Sequence, residues 1–129
     1  LVAESNFNAS YRFKKLHRRP AESLIALVQH HFGLARRMQD GSTVRDHLLQ
    51  VAKITGTIPS ELIEPELLPG CDVVWQMFLS LHNGRDGENK PLSWRDLQAW
   101  QQIQNVSLDV FEIDMLIAMD RAALAAIKG

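Results

Sequence analysis

The chain has 129 residues, 46% of them apolar and 22% charged, and a net charge of −1. These are ordinary globular values, and they predict a single helical domain over residues 1–129 that buries roughly two-thirds of its unfolded surface. A single cysteine, Cys71, excludes an internal disulfide and points to a reducing, cytoplasmic setting. No apolar run nears the ~18 residues of a membrane span, and no basic-then-apolar leader is visible at the start.

Residues 1–19 form a basic N-terminal arm, with two aromatics in YRFKKLHRR and extended character around residues 9–16. Pro20 then opens a helix as a first-turn residue. Leu24, Leu27, Val28, His31, Ala35 and Met38 repeat at helical spacing through residues 20–39, and Gly41 is expected to end the helix. Ser42 or Thr43 caps a second helix over residues 43–55, with Val44, Leu48, Val51 and Ala52 on one side and Gly56 closing it. Residues 57–70 hold Pro59, Pro65 and Pro69, so no long helix crosses this junction, although a helical turn fits Ser60–Ile63.

Residues 71–127 contain all three tryptophans. Asp72–His82 reads as a third helix with Val74, Trp75, Phe78, Leu79 and Leu81 on its apolar face. NGRDGENKP, over residues 83–91, reads as a mobile surface loop. Ser93 caps a fourth helix with Asp96 at the position of a capping-box partner, and Leu97, Trp100 and Ile103 follow on its face. Asn105 ends that helix. Ser107 is expected to cap the last one, over residues 108–127.

The last helix carries two apolar stripes. One is Leu108, Phe111, Met115, Ala118, Ala122 and Ala126; the other is Val110, Ile113, Ile117, Leu124 and Ile127. A helix apolar around most of its circumference is central in its own core or covered by a partner. The expected class is therefore all-α, with about five helices.

No catalytic or metal-binding cluster stands out. None of the histidines (His17, His30, His31, His47, His82) pairs with another at helical ligand spacing, so zinc is not expected, and His31 reads as a core or boundary residue. Glu61, Glu64 and Glu66, and then Asp109, Glu112, Asp114 and Asp120, read as solvated acidic surface rather than a pair tuned for acid–base chemistry. Counting from Asn83 sets Arg85 and Trp94 where a calcium loop needs oxygen ligands, and counting from Asp86 does the same with Lys90. No serine sits in a nucleophile-elbow motif. The expectation is a protein that is not an enzyme and has no cofactor, no metal and no small-molecule substrate.

Charge is unevenly spread. Residues 1–53 carry nine Lys/Arg and four Asp/Glu, a formal +5; residues 54–129 carry five and eleven, a formal −6. Opposed halves can drive association between molecules, or the basic half can face phosphate. The second possibility supports a small helical DNA-binding regulator, with a helix-turn-helix over residues 22–54. The few readers on its second helix (Arg45, His47, Gln50, Lys53) make nucleic acid the less favoured partner. Trp94, at the first helical position after Ser93, is the tryptophan expected to face outward.

Residues 68–124 also resemble a known pattern: an LP start, the helix W-x-x-F-x-x-L from Trp75 to Leu81, a Gly/Asn loop, PLSW, an AW pair, and an acidic-apolar helix ending in MDRA. The stretch is similar to the tail assembly chaperones of long-tailed, siphovirus-like phages and prophages. The resemblance implies a helical, non-catalytic protein of the host bacterial cytoplasm. It implies binding of the tape-measure and tail-tube proteins during tail morphogenesis, absence from the mature virion, and either a short form or the domain shared with a frameshift-extended form. Self-association, head-to-tail or as a helical array, would follow from the charge asymmetry. Trp94, Phe111, Met115, Met119, Arg36 and Arg37 are the residues expected to meet a partner.

Overall fold

The computed structural model describes residues 18–85 and 90–129. The extended segment expected around residues 9–16 and the tip of the Gly-rich loop lie outside them. The described chain is all-α: α1 (Arg18–Leu34), α2 (Val44–Thr55), a 3-10 turn (Ser60–Leu62), α3 (Asp72–Asn83), α4 (Trp94–Gln104) and α5 (Val110–Lys128).

α1 and α5 share the most extensive interface, α3 packs on α5, and α4 packs on α3. Their meeting faces make one core. Leu24, Val28 and Phe32 enter from α1, Val74, Met77 and Phe78 from α3, and Leu116, Met119 and Ala123 from α5. At roughly 25 cal/mol per Å² of apolar area, each fully buried Leu, Met or Phe contributes about 1.5–3 kcal/mol against solvent exposure. Trp100 closes the α3–α4 contact, donating its indole N–H to Ser80 Oγ at 2.9 Å. A buried indole would otherwise leave its donor unpaired.

Helix limits follow local chemistry. Thr43 with Asp46, Ser93 with Asp96, and Asp109 with Glu112 each form a reciprocal capping box at the start of α2, α4 and α5. Such boxes satisfy two otherwise orphan backbone donors. The α5 cap is therefore Asp109 rather than Ser107, because only Asp109 has its box partner three residues on. Gly56 ends α2 at φ 73°, the left-handed conformation that glycine takes without strain.

α1 stops at Leu34, five residues short of the expected end at 39. Residues 36–43 instead form a tight reverse turn. Met38 N donates to Ser42 O at 2.7 Å, Val44 N donates to Arg36 O at 3.0 Å, and Gly41 sits at φ 87°. Asp40 stabilises the turn by accepting from both the backbone N and the hydroxyl of Ser42. Such local side-chain bonds compete with helix continuation. Met38 consequently lies outside, 40% exposed.

The junction between α2 and α3 is anchored by one hydroxyl. Ser23 Oγ donates to Glu66 O at 3.1 Å and accepts from Leu68 N at 3.2 Å. This ties the Pro-rich segment to the first turns of α1 and starts α3 beneath them, with Cys71 fully buried. Burial, and secondarily the charge of Asp72, raises the Cys71 thiol pKa, so the sulfur is an inert core group.

Candidate partner-binding surfaces

α5 buries neither apolar stripe as a unit. Its inward face holds Glu112, Met115, Leu116, Met119, Asp120 and Ala123, while Val110, Phe111 and Ala118 turn outward. Two carboxylates thus sit in the core, 1% and 2% exposed for Glu112 and Asp120 respectively, correcting the expectation that both are solvated. Glu112 is buried as a capping-box partner: its Oε1 accepts from Asp109 N at 3.1 Å.

Asp120 has a different task. One carboxylate oxygen accepts from Arg85 Nη2 and the other accepts from Leu92 N at 2.8 Å. Arg85 Nη1 donates across to Lys90 O at 2.9 Å. A single α5 carboxylate therefore holds both ends of the loop between α3 and α4. The Arg85 and Asp120 side chains are 8% and 3% exposed, a pairing that a buried charge requires. Sequence periodicity missed it, although Asp120 lies four residues after Leu116 and three before Ala123, within the buried stripe.

The last turns of α1, α3 and α5 meet around a half-open groove of about 800 Å³. Phe32, Leu79, Leu124 and Ile127 give it apolar walls, and its polar lining is His31, Arg37, His82, Asn83 and Arg85. The rings of His31 and His82 approach Phe32 edge-on, with centroids at 4.8 and 4.7 Å, and His31 also meets the edge of Trp75 at 5.5 Å. His31 keeps part of its ring in solvent. Even so, burial, followed by the charge of Arg45, lowers its pKa; Glu64 opposes and His30 adds to the lowering. His82 is lowered by burial first, then by Arg85, against Asp120, with a smaller lowering from His31. Two nitrogens at this groove, Nδ1 of His82 and Nε of Arg85, are buried without a hydrogen-bond partner.

The residues expected to meet a partner separate into two groups. Trp94 is 81% and Phe111 50% exposed, and Arg36 and Arg37 are exposed in the turn after α1. Met115 and Met119 are core residues, 6% and 0% exposed, because the helix presents the face that also holds Asp120 to α1 and α3. Sequence reading also missed a second apolar region. Leu49 and Ile54 on α2, Ile58, and Ile63 after the 3-10 turn are 51–74% exposed. α2 has no buried residue at all. Ile103, placed by spacing on the buried face of α4, is 80% exposed, since the core contact of α4 ends at Trp100.

Among the described residues, no group of His, Cys, Asp and Glu side chains has the arrangement of a metal site, and no helix is long and apolar enough to cross a membrane. Comparison with known families decides what the arrangement belongs to. A family described as phage tail assembly chaperone matches residues 51–125, more than half of the chain. The chain belongs to that family. The match begins within α2 and runs into the last turns of α5, so the chaperone's family region includes the exposed α2 end, the junction, α3, α4 and α5 as far as residue 125. No curated protein and no solved structure matches it.

Proposed function

We propose that this tail assembly chaperone is non-catalytic and binds the tape-measure protein, the tail-tube protein or both during tail morphogenesis, leaving before the virion is mature. The family match carries the reading. Exposed apolar side chains support it, because a chaperone must offer apolar surface to a client while keeping its own core closed. The client surface on this reading lies outside the α1–α3–α5 core. It comprises the exposed apolar residues between Leu49 and Ile63, the outward Trp94 and Phe111, and the exposed Arg36 and Arg37.

Co-expression with the tail-tube and tape-measure proteins of the same phage tests the reading. Co-elution of either, weakened by Trp94→Ala and by the double charge reversal of Arg36 and Arg37, is the expected result. Salt-sensitive binding to duplex DNA, abolished by the same reversal and without client co-elution, would replace it with the regulator reading. Mass spectrometry of purified particles is expected to find tube and tape-measure proteins and no chaperone.

The charge contrast between the two halves supports head-to-tail self-association, a geometry that closes into rings or extends along a client. Light scattering is expected to show assemblies that dissolve as salt rises. A monomer at every salt concentration and high protein concentration would end this part of the reading.

A further inference from the structure

The groove at the last turns of α1, α3 and α5 combines features that the core does not need. Its polar lining contains two arginines, two histidines and an asparagine and, among the described residues, no carboxylate. Arg85 is neutralised by Asp120 behind it. Arg37 donates from Nη1 to Gly41 O at 2.7 Å, and its charge also acts on Asp46 at the start of α2, helping to hold that carboxyl below its usual pKa. The unpartnered Nδ1 of His82 and Nε of Arg85 add hydrogen-bonding capacity that is unmet in the free protein. A buried polar group left unpaired costs about 1–3 kcal/mol, and both nitrogens belong to residues that line this groove.

We propose that this groove docks an acidic–apolar segment of a client polypeptide, with a carboxylate against Arg37, His31 and His82 and a neighbouring apolar side chain between Phe32, Leu79, Leu124 and Ile127. The inference rests on the client-binding reading above and names the chemistry of the client.

The surrounding charges determine how such a segment binds. Three helix C-termini converge here, and their partial negative charge works against an anion. Arg85 is already paired, and Glu64 faces His31 from the junction. Arg37 and Arg45 favour the carboxylate, while Asp46 shares the charge of both. Proton uptake by His31 and His82 completes the match: a carboxylate beside an imidazole favours the charged ring, opposing the burial and the Arg45 and Arg85 charges that keep both rings neutral in the free protein. Binding is therefore coupled to protonation and strengthens as pH falls from neutral toward 6, while the client carboxylate stays ionised.

The probe is the peptide acetyl-Leu-Glu-Leu-Phe-amide, with its Gln analogue as the uncharged control, titrated into the full chain and followed by imidazole NMR shifts. Saturable shifts of His31 and His82 are expected with the Glu peptide, with both imidazole pKa values raised on binding. Affinity is expected to rise about tenfold from pH 7.5 to 6, and to fall at least tenfold with the Gln peptide, with Arg37→Glu or with Leu124→Glu. Equal binding of the two peptides, or no shift at millimolar peptide, would overturn the proposal. Intact circular dichroism of Arg37→Glu, an exposed turn substitution, separates lost docking from lost fold. Co-expression distinguishes the two levels of the reading. Wild-type co-elution with a tail protein that Leu124→Glu leaves unchanged removes the groove while keeping the client-binding reading; absence of co-elution by the wild type removes the client-binding reading itself.

Discussion

α5 and α2 are both capped helices with mixed apolar and charged sequences, yet the structure uses them in opposite ways. α5 contributes Met115, Leu116, Met119 and Ala123 to the core and buries two carboxylates with them. α2 has a complete capping box, a left-handed glycine stop and an amphipathic pattern, and buries nothing fully. Local signals therefore establish that a helix forms, while burial depends on what the rest of the chain brings to it. For a chaperone the contrast separates a part that maintains the fold from a part left open to others.

Removing the Asp120 carboxylate is the sharpest way to break the α5 side. Asp120→Ala leaves the Arg85 charge buried and the Leu92 N–H unpaired, and should cost about 3–5 kcal/mol in urea denaturation. Met119→Ala opens a cavity in the same face and should cost about 2–5 kcal/mol. Thr43→Ala removes the α2 capping box and should cost about 1 kcal/mol, read as faster amide exchange in α2 with little change in α3 or α5. Ile54→Ser, on the exposed end of α2, should change stability by no more than about 0.5 kcal/mol while weakening client capture. Equal costs for Met119→Ala and Ile54→Ser would mean that α2 is part of the core after all.

Stability should also depend on pH through His31 and His82. Both are lowered in the folded protein, chiefly by burial, so between the folded and unfolded pKa values the unfolded chain binds more protons. Their contribution is fully present above the unfolded value, near 6.5, and is lost as pH falls through that value toward the folded ones. A melting temperature that drops below pH 6.5 in the wild type, and less in His82→Gln, is the expected pattern.

Much of this architecture was legible in the sequence because caps and stops are local. Thr43 with Asp46, Ser93 with Asp96, Gly56 and Asn105 each act within a few residues, and Trp94 was read as outward from its position after a cap. The family resemblance was carried by equally local motifs in residues 68–124. What periodicity could not supply was the side of α5 that faces inward. Two apolar stripes leave open which residues face the core and which a partner, and the inward face proves to carry Met115 and Met119 together with Asp120, whose bonds to Arg85 and Leu92 are long-range and announced by no local pattern. α1 ends before its apolar spacing runs out because Asp40, Gly41 and Ser42 form a turn that competes with helix continuation. The groove was invisible because its lining comes from three separate helices.

The central claim is that the core stays closed while client contact falls on the parts that the core leaves open. Hydrogen–deuterium exchange on the free chaperone and on its co-expressed complex with a tail protein tests this most directly. The account predicts new protection in α2, in residues 56–63, and in the turn and last helical turns that border the groove, with the first turns of α3 and the middle of α5 unchanged. Protection gained only within the core helices, or a stable complex that leaves α2 and the groove exchanging as in the free protein, would contradict it.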